Sequence, residues 1–169
     1  CVGVANVGGD LYRDLTYNKN PLVNVGCLGL IKKDNIIYGN ALTEHSLLIY
    51  IGGKTGNEGI DGAAMASQSF ESDNIDDLKD NVQKSDAFLE RLLLEACCEI
   101  ADKGLAEGMQ DMGAGGLLCA SVEVLIRGRA KTGENIGCTI DLDKVPTKHA
   151  MEPYNILVSE SQERMLIIS

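Results

Sequence analysis

The alternation of apolar and polar positions along the chain predicts short strands interleaved with helices. From Asp86 to Lys103, the residues Leu89, Leu92, Leu93, Ala96, Cys97 and Ile100 recur three and four apart, with charges on the other face. That spacing predicts an amphipathic helix, with Ser85 as its N-cap and Gly104 as its C-terminal stop. A second helix is predicted from about Gly115 to Arg127. Pro153 suits the first turn of a short third one in "PYNILVS". "SLLIYI", residues 46 to 51, reads as a buried strand, a short strand leads into Asp111, and "ERMLIIS" reads as a last strand. Pro21 to Tyr38 predicts a hairpin turning at "KKDN", and Ile136, Cys138, Ile140 and Leu142 alternate as in a half-buried strand. A helix is expected near Asp61 to Gln68, followed by a polar, acidic loop from Glu71 to Lys84. No internal repeat is visible. Strands and helices mix without strict alternation, so the expected fold class is α+β or a mixed-sheet α/β.

Composition narrows the function classes. The 169 residues suffice for one domain, or for one domain and part of another, with a boundary expected near residues 39 to 46. Residues 1–45 then form an incomplete first unit and 46–169 a second. The chain opens at Cys1 and stops within an apolar run, which predicts a piece of a longer protein. At 44% hydrophobic and 24% charged residues it is able to bury a core. A net charge of -10, with no basic run, argues against nucleic acid as a partner. The six cysteines include no C-x-x-C pair and only two histidines accompany them, so a zinc site is not expected. Most of them read as small buried hydrophobes of a reducing compartment. With no signal peptide and no apolar run of membrane-spanning length, the expectation is a cytoplasmic protein without a membrane partner.

Three stretches carry candidate chemistry. "GGKTGNEGIDGA" is not a Walker loop, because Leu48 stands where that pattern needs its first glycine. Its glycines can either wrap an anion or merely serve tight turns. In "QDMGAGGL", Asp111 stands at the end of a strand before a turn with glycines at 113, 115 and 116. A carboxylate there suits Mg²⁺ that bridges to a phosphate, with the glycines clearing the phosphate's path. The alternative is that Asp111 caps the following helix. "SESQERM" sets Ser159, Glu160, Ser161 and Gln162 between a helix and a strand, either as a polar turn or as hydrogen-bonding groups for a hydroxyl-rich ligand. His45 and Ser67 have no partners that would make them catalytic, and no triad or paired carboxylates are evident.

"YNKNPLVNVGCLGL", "GGKTGNEGIDGA", "LERLLLEACCE", "QDMGAGGLLCASVEVLIRG", "LDKVP" and "PYNILVSESQERMLII" together resemble, in this order, the synthetase subunit of phosphoribosylformylglycinamidine synthase. Relatives of the same fold, such as aminoimidazole ribonucleotide synthetase, share a looser glycine turn but not "SESQERM". The resemblance implies an aminoimidazole ribonucleotide synthetase-like C-terminal subdomain preceded by the last strands of an N-terminal one. It implies a ligase of purine synthesis: ATP activates the amide oxygen of formylglycinamide ribonucleotide, and ammonia then displaces phosphate to give the amidine. The implied partners are a glutaminase and a small accessory subunit, or a fused glutaminase domain. By motif, Asp111 is implied as a Mg²⁺ ligand, and Gln83, Glu160, Ser161 and Gln162 as ribonucleotide contacts. The family's catalytic histidine motif and ATP-contacting lysine fall before Cys1, so no catalytic residue is expected within the chain, and no turnover by it alone. "KSDA" replaces the family's Val-Gly-Asp-Pro-like run after Gln83, and "RGRAKTGENIGC" reads as a surface insertion. A competing class is a structural or assembly module with a vestigial ligand site.

Overall fold

The computed structural model describes residues 3–18, 21–60 and 82–169. The helix expected near Asp61 to Gln68 and most of the acidic loop lie outside the described residues. Among the described residues three strands form one antiparallel sheet in the order β1-β3-β2, with β1 at Leu48–Gly52, β2 at Gly108–Asp111 and β3 at Arg164–Ile168. "RMLII" is apolar on both faces, which suits a central position, and β3 indeed pairs on both sides. Its register sets Ile168 opposite Leu48 and Gly108, and Met165 opposite Ile51 and Asp111.

The core lies between β3 and one helix. Leu166 and Ile168 project to one face and meet Leu117, Ala120 and Val124 of the helix Gly116–Thr132, with Ala41 and Met112 completing the cluster. Burying each large side chain there contributes about 1.5–3 kcal/mol. Helix α1 spans Ala87–Asp102, α2 Gly116–Thr132 and α3 Pro153–Val158, with Pro153 in the first turn of α3 as expected. Close approach at both ends of α2 requires glycine: a Cβ on Gly116 would overlap the Ser159 carbonyl, and one on Gly128 the Ala41 carbonyl.

Several expectations need correction. The N-cap of α1 is Asp86, not Ser85; its Oδ1 accepts from Phe88 N at 3.0 Å and Leu89 N at 3.1 Å. Either residue type caps well, and the carboxylate adds a favourable charge at the helix N-terminus. On the predicted apolar face of α1 only Leu93 is buried; Leu92 and Ala96 are exposed. The hairpin between Pro21 and Tyr38 does not form, apart from a 3₁₀ turn at Lys33–Asn35. Alternation alone does not make a strand; a ladder partner does, and residues 21–34 are exposed throughout. "NIGCTIDL" likewise stays outside the sheet. Ile136 to Asp141 instead line one wall of a groove of about 730 Å³ with Tyr50, Leu117 and Leu125. Among the described residues the cysteines are not a buried set: Cys27, Cys98, Cys119 and Cys138 are exposed, Cys97 is half-buried, and these five are free thiols. No helix among the described residues is long and apolar enough to cross a membrane.

Candidate functional site

The polar run after α3 is buried, which a mere connecting turn would not be. Ser159, Glu160 and Ser161 are all within a few per cent of full burial. Buried polar groups must find partners, and the glycine loop after β1 supplies them. Ser159 Oγ donates to the Gly56 carbonyl at 2.6 Å, Gly56 N donates to Ser161 Oγ at 2.9 Å, and Glu160 N donates to the Glu58 carbonyl at 2.9 Å. Gly59, at φ 70°, presses on the Glu160 side chain where any Cβ would intrude. Gly53 N and Thr55 N are likewise spent on the carbonyls of Glu163 and Pro146. The loop's amides therefore organise the polar run, and the anion-wrapping option gains no support.

Glu160 links three predicted contacts. Its Oε2 accepts from Gln83 Nε2 at 2.9 Å, and Gln162 Nε2 donates to Gln83 Oε1 at 2.8 Å and to the Glu160 carbonyl at 3.2 Å. Its Oε1 accepts from Gly115 N at 3.0 Å, so the carboxylate sits at the start of α2. Negative charge there is stabilised by the helix dipole. Gln83, Glu160 and Gln162 thus converge although 77 or more residues separate the first from the others. Ser161 turns the other way. Its hydroxyl donates to the Glu58 carboxylate, so it anchors the run from beneath.

Two charged residues that sequence reasoning missed underlie this arrangement. Burial pushes the Glu58 carboxyl up, but hydrogen bonds from Lys148 and Ser161 outweigh it and hold the pKa down at about 2. Arg164, 3% exposed, donates from Nε to the Ser161 carbonyl, from one terminal nitrogen to the Ser159 carbonyl, and from the other to Thr55 Oγ1 at 3.1 Å. Burial pushes its pKa down, opposed by Tyr50, Glu58 and Glu160, and a guanidinium stays charged regardless. The only sequence signal for either was a charge flanking an apolar strand or a glycine run. Between Gln162 and Arg164 the chain turns through Glu163, a left-handed residue at φ 55°. Gly53 N on its carbonyl and Asp86 N on its carboxylate at 3.0 Å hold that conformation.

Asp111 stands differently. It ends β2, is exposed, and accepts from Gln110 Nε2 at 3.0 Å through Oδ1. It does not cap α2: Gly115, at φ 69°, is the N-cap residue and Glu160 takes its amide. The glycines of the turn have two different reasons. Gly115 and Gly116 have positive φ, and a Cβ on either would overlap Cys119 Sγ or the Ser159 carbonyl. At Gly113 a Cβ would lie 3.1 Å from Asp111 Oδ2, so there the missing side chain keeps that oxygen clear. Among the described residues no group of three His, Cys, Asp or Glu could cage a metal. One open carboxylate fits Mg²⁺, which keeps waters and completes its shell with substrate phosphates.

Fold and glycine turn together define a class. Residues 43–169 match the family described as AIR synthase related protein, C-terminal domain, and the chain belongs to that family. It is 48% identical over 168 residues to "Phosphoribosylformylglycinamidine synthase subunit PurL" of Helicobacter hepaticus, covering 99% of this chain and 22% of that protein. The same-named protein of Pelagibacter ubique is 47% identical over 169 residues, again covering 99% and 22%. Among solved structures, "T. maritima PurL complexed with FGAR" superposes with a TM-score of 0.71 at 39% identity, over 81% of this chain and 22% of that one. "T. maritima PurL complexed with ATP" gives 0.64 at 34% identity, over 82% and 20%. The chain therefore spans about a fifth of the length of the relatives it matches. The resemblance read from "QDMGAGGL" and "SESQERM" is to these same proteins.

Proposed function

We propose that the chain is the part of a phosphoribosylformylglycinamidine synthase that holds the ribonucleotide and Mg²⁺. Residues 1–45 are read as the end of an N-terminal subdomain and 46–169 as most of a C-terminal one. The observation that carries the reading is the convergence of Gln83, Glu160 and Gln162 at the start of α2, into which the turn after Asp111 leads. A carboxylate and two amides offer both acceptors and donors to ribose hydroxyls and to an amide. Among the described residues, the hydrogen bonds of the Gln162 side chain run through Nε2 and leave Oε1 for a ligand. Asp111 would hold Mg²⁺, which neutralises phosphate charge as phosphate is transferred. This chain contributes binding and orientation, and Ser161 fixes the backbone through Glu58 rather than facing the ligand.

Names of the relatives support the wider reading: T. maritima PurL is solved with FGAR and with ATP, AMPPCP and ADP, and as "PurLQS". The reaction so implied consumes formylglycinamide ribonucleotide, ATP and ammonia in the cytoplasm, with a glutaminase and a small accessory subunit as partners. A thermal-shift titration with formylglycinamide ribonucleotide, with and without Mg²⁺, tests it. The ribonucleotide raises the melting temperature of the parent, as any ligand of the folded state does; Gln162→Ala abolishes the rise, and Asp111→Asn abolishes its Mg²⁺ dependence. No shift at millimolar ligand favours the assembly-module reading, which draws on the exposed apolar side chains of Val23, Val25, Leu28 and Leu30.

A further inference from the structure

Arg164 is a buried cation whose hydrogen bonds among the described residues go to uncharged oxygens: its three side-chain nitrogens donate to the Ser159 carbonyl, the Ser161 carbonyl and Thr55 Oγ1. Those two carbonyls flank Glu160 on either side. One rigid planar group thus fixes the peptide planes before Glu160 and after Ser161, the two that determine where the Glu160 and Gln162 side chains leave the backbone. Thr55 ties the same group to the glycine loop: fully buried, it donates N–H to the Pro146 carbonyl, accepts Lys148 N–H, and bonds the Tyr50 hydroxyl at 3.2 Å. Stability alone does not account for a charge in this place, because apolar residues of similar volume often replace buried charges at no net cost. What an apolar residue cannot supply is the fork that holds two carbonyls at once.

We propose that Arg164 is a positioning residue: its guanidinium clamps the carbonyls on both sides of Glu160 and so aims Glu160 and Gln162 into the ligand site. The proposal rests on the ribonucleotide reading for what is aimed at, and on the hydrogen bonds alone for the aiming. Lysine keeps the charge but not the fork, so Arg164→Lys is the informative variant.

Two readouts on the full chain separate the claims. The first needs no ligand: hydrogen exchange of the Gly115 amide, which donates to Glu160 Oε1, against the amides of Leu166 and Ile168 within β3. In Arg164→Lys the Gly115 amide exchanges about tenfold faster or more, as for loss of a charged hydrogen bond, while the two β3 amides keep their protection. The second is calorimetric binding of formylglycinamide ribonucleotide, which weakens by about 10- to 100-fold in the same variant. Unchanged exchange at Gly115 in a folded variant overturns the proposal. Uniform loss of protection through β3, in both Arg164→Lys and Arg164→Met, also overturns it, because Arg164 is then a residue of the fold. A parent that binds no ribonucleotide but shows the Gly115 effect sinks the substrate reading and leaves the clamp standing. Equal binding by parent and variant sinks the clamp and leaves the substrate reading intact.

Discussion

The two candidate halves of the site are built in opposite ways. The Ser159–Gln162 run is buried from Ser159 to Ser161 and half-buried at Gln162, and the glycine loop, Gln83, Gly115 and Arg164 supply its hydrogen-bond partners. The Asp111 turn is open, and its carboxylate is bonded to the neighbouring Gln110 side chain. The contrast is chemical. Side chains that read hydroxyls and amides gain from preorganisation, since ordering them on binding costs affinity. A Mg²⁺ carboxylate gains from being accessible, since the ion arrives hydrated and completes its shell with the substrate.

The joint between the halves should be the most sensitive point. Gly116→Ala places a methyl group on the Ser159 carbonyl at φ 55°, and a loss of about 3 kcal/mol is expected by urea denaturation. Within the closed half, Thr55→Val leaves an Arg164 donor short of a partner, while the Tyr50 hydroxyl keeps the Gly53 carbonyl, for a loss of about 1–3 kcal/mol by the same measurement. Glu58 gives a subtler signature. Its pKa in the folded chain is about 2 against an ordinary 4.5, so its stabilisation is complete above pH 4.5 and is lost as pH falls toward 2. Glu58→Gln should flatten the fall in stability across that window, read from melting temperatures at stepped pH. Smallest is Asp111→Asn, which should change stability by no more than about 0.5 kcal/mol because the side chain is exposed. A large loss there would mean that the open half is structural, and the contrast would fail.

How far the sequence reveals this depends on the range of the interactions. Strands and helices set by local periodicity fall where the pattern predicts, β1, β2 and β3 and the bodies of α1, α2 and α3, but β1 is half-buried to exposed where a buried strand was expected. The hairpin at residues 21–38 and the strand at 136–142 do not, because alternation records a preference and only a pairing partner turns it into a ladder. Asp86 displaced Ser85 as the cap of α1 because two adjacent residues of equal capping ability differ only in backbone geometry. The site residues came from motif likeness, and hydrogen bonds join three of them. Glu58, Thr55 and Arg164 stayed hidden because their partners lie roughly 90 to 109 residues away, or, for the Ser159 and Ser161 carbonyls, belong to the backbone. The glycines at 115 and 116 were legible as a turn, but their cause, contact with Cys119 and Ser159, was not.

On the proposed reading, the closed half holds the ribonucleotide and the open half holds Mg²⁺. An amide NMR titration of the chain tests it most directly, with each ligand added first alone and then together. Formylglycinamide ribonucleotide is expected to move the Gly115 amide and the side-chain amides of Gln83 and Gln162, and Mg²⁺ to move Asp111 and Gly113. Shifts confined to the groove lined by Tyr50, Leu117 and Ile140, or Mg²⁺ shifts that persist unchanged in Asp111→Asn, would contradict it.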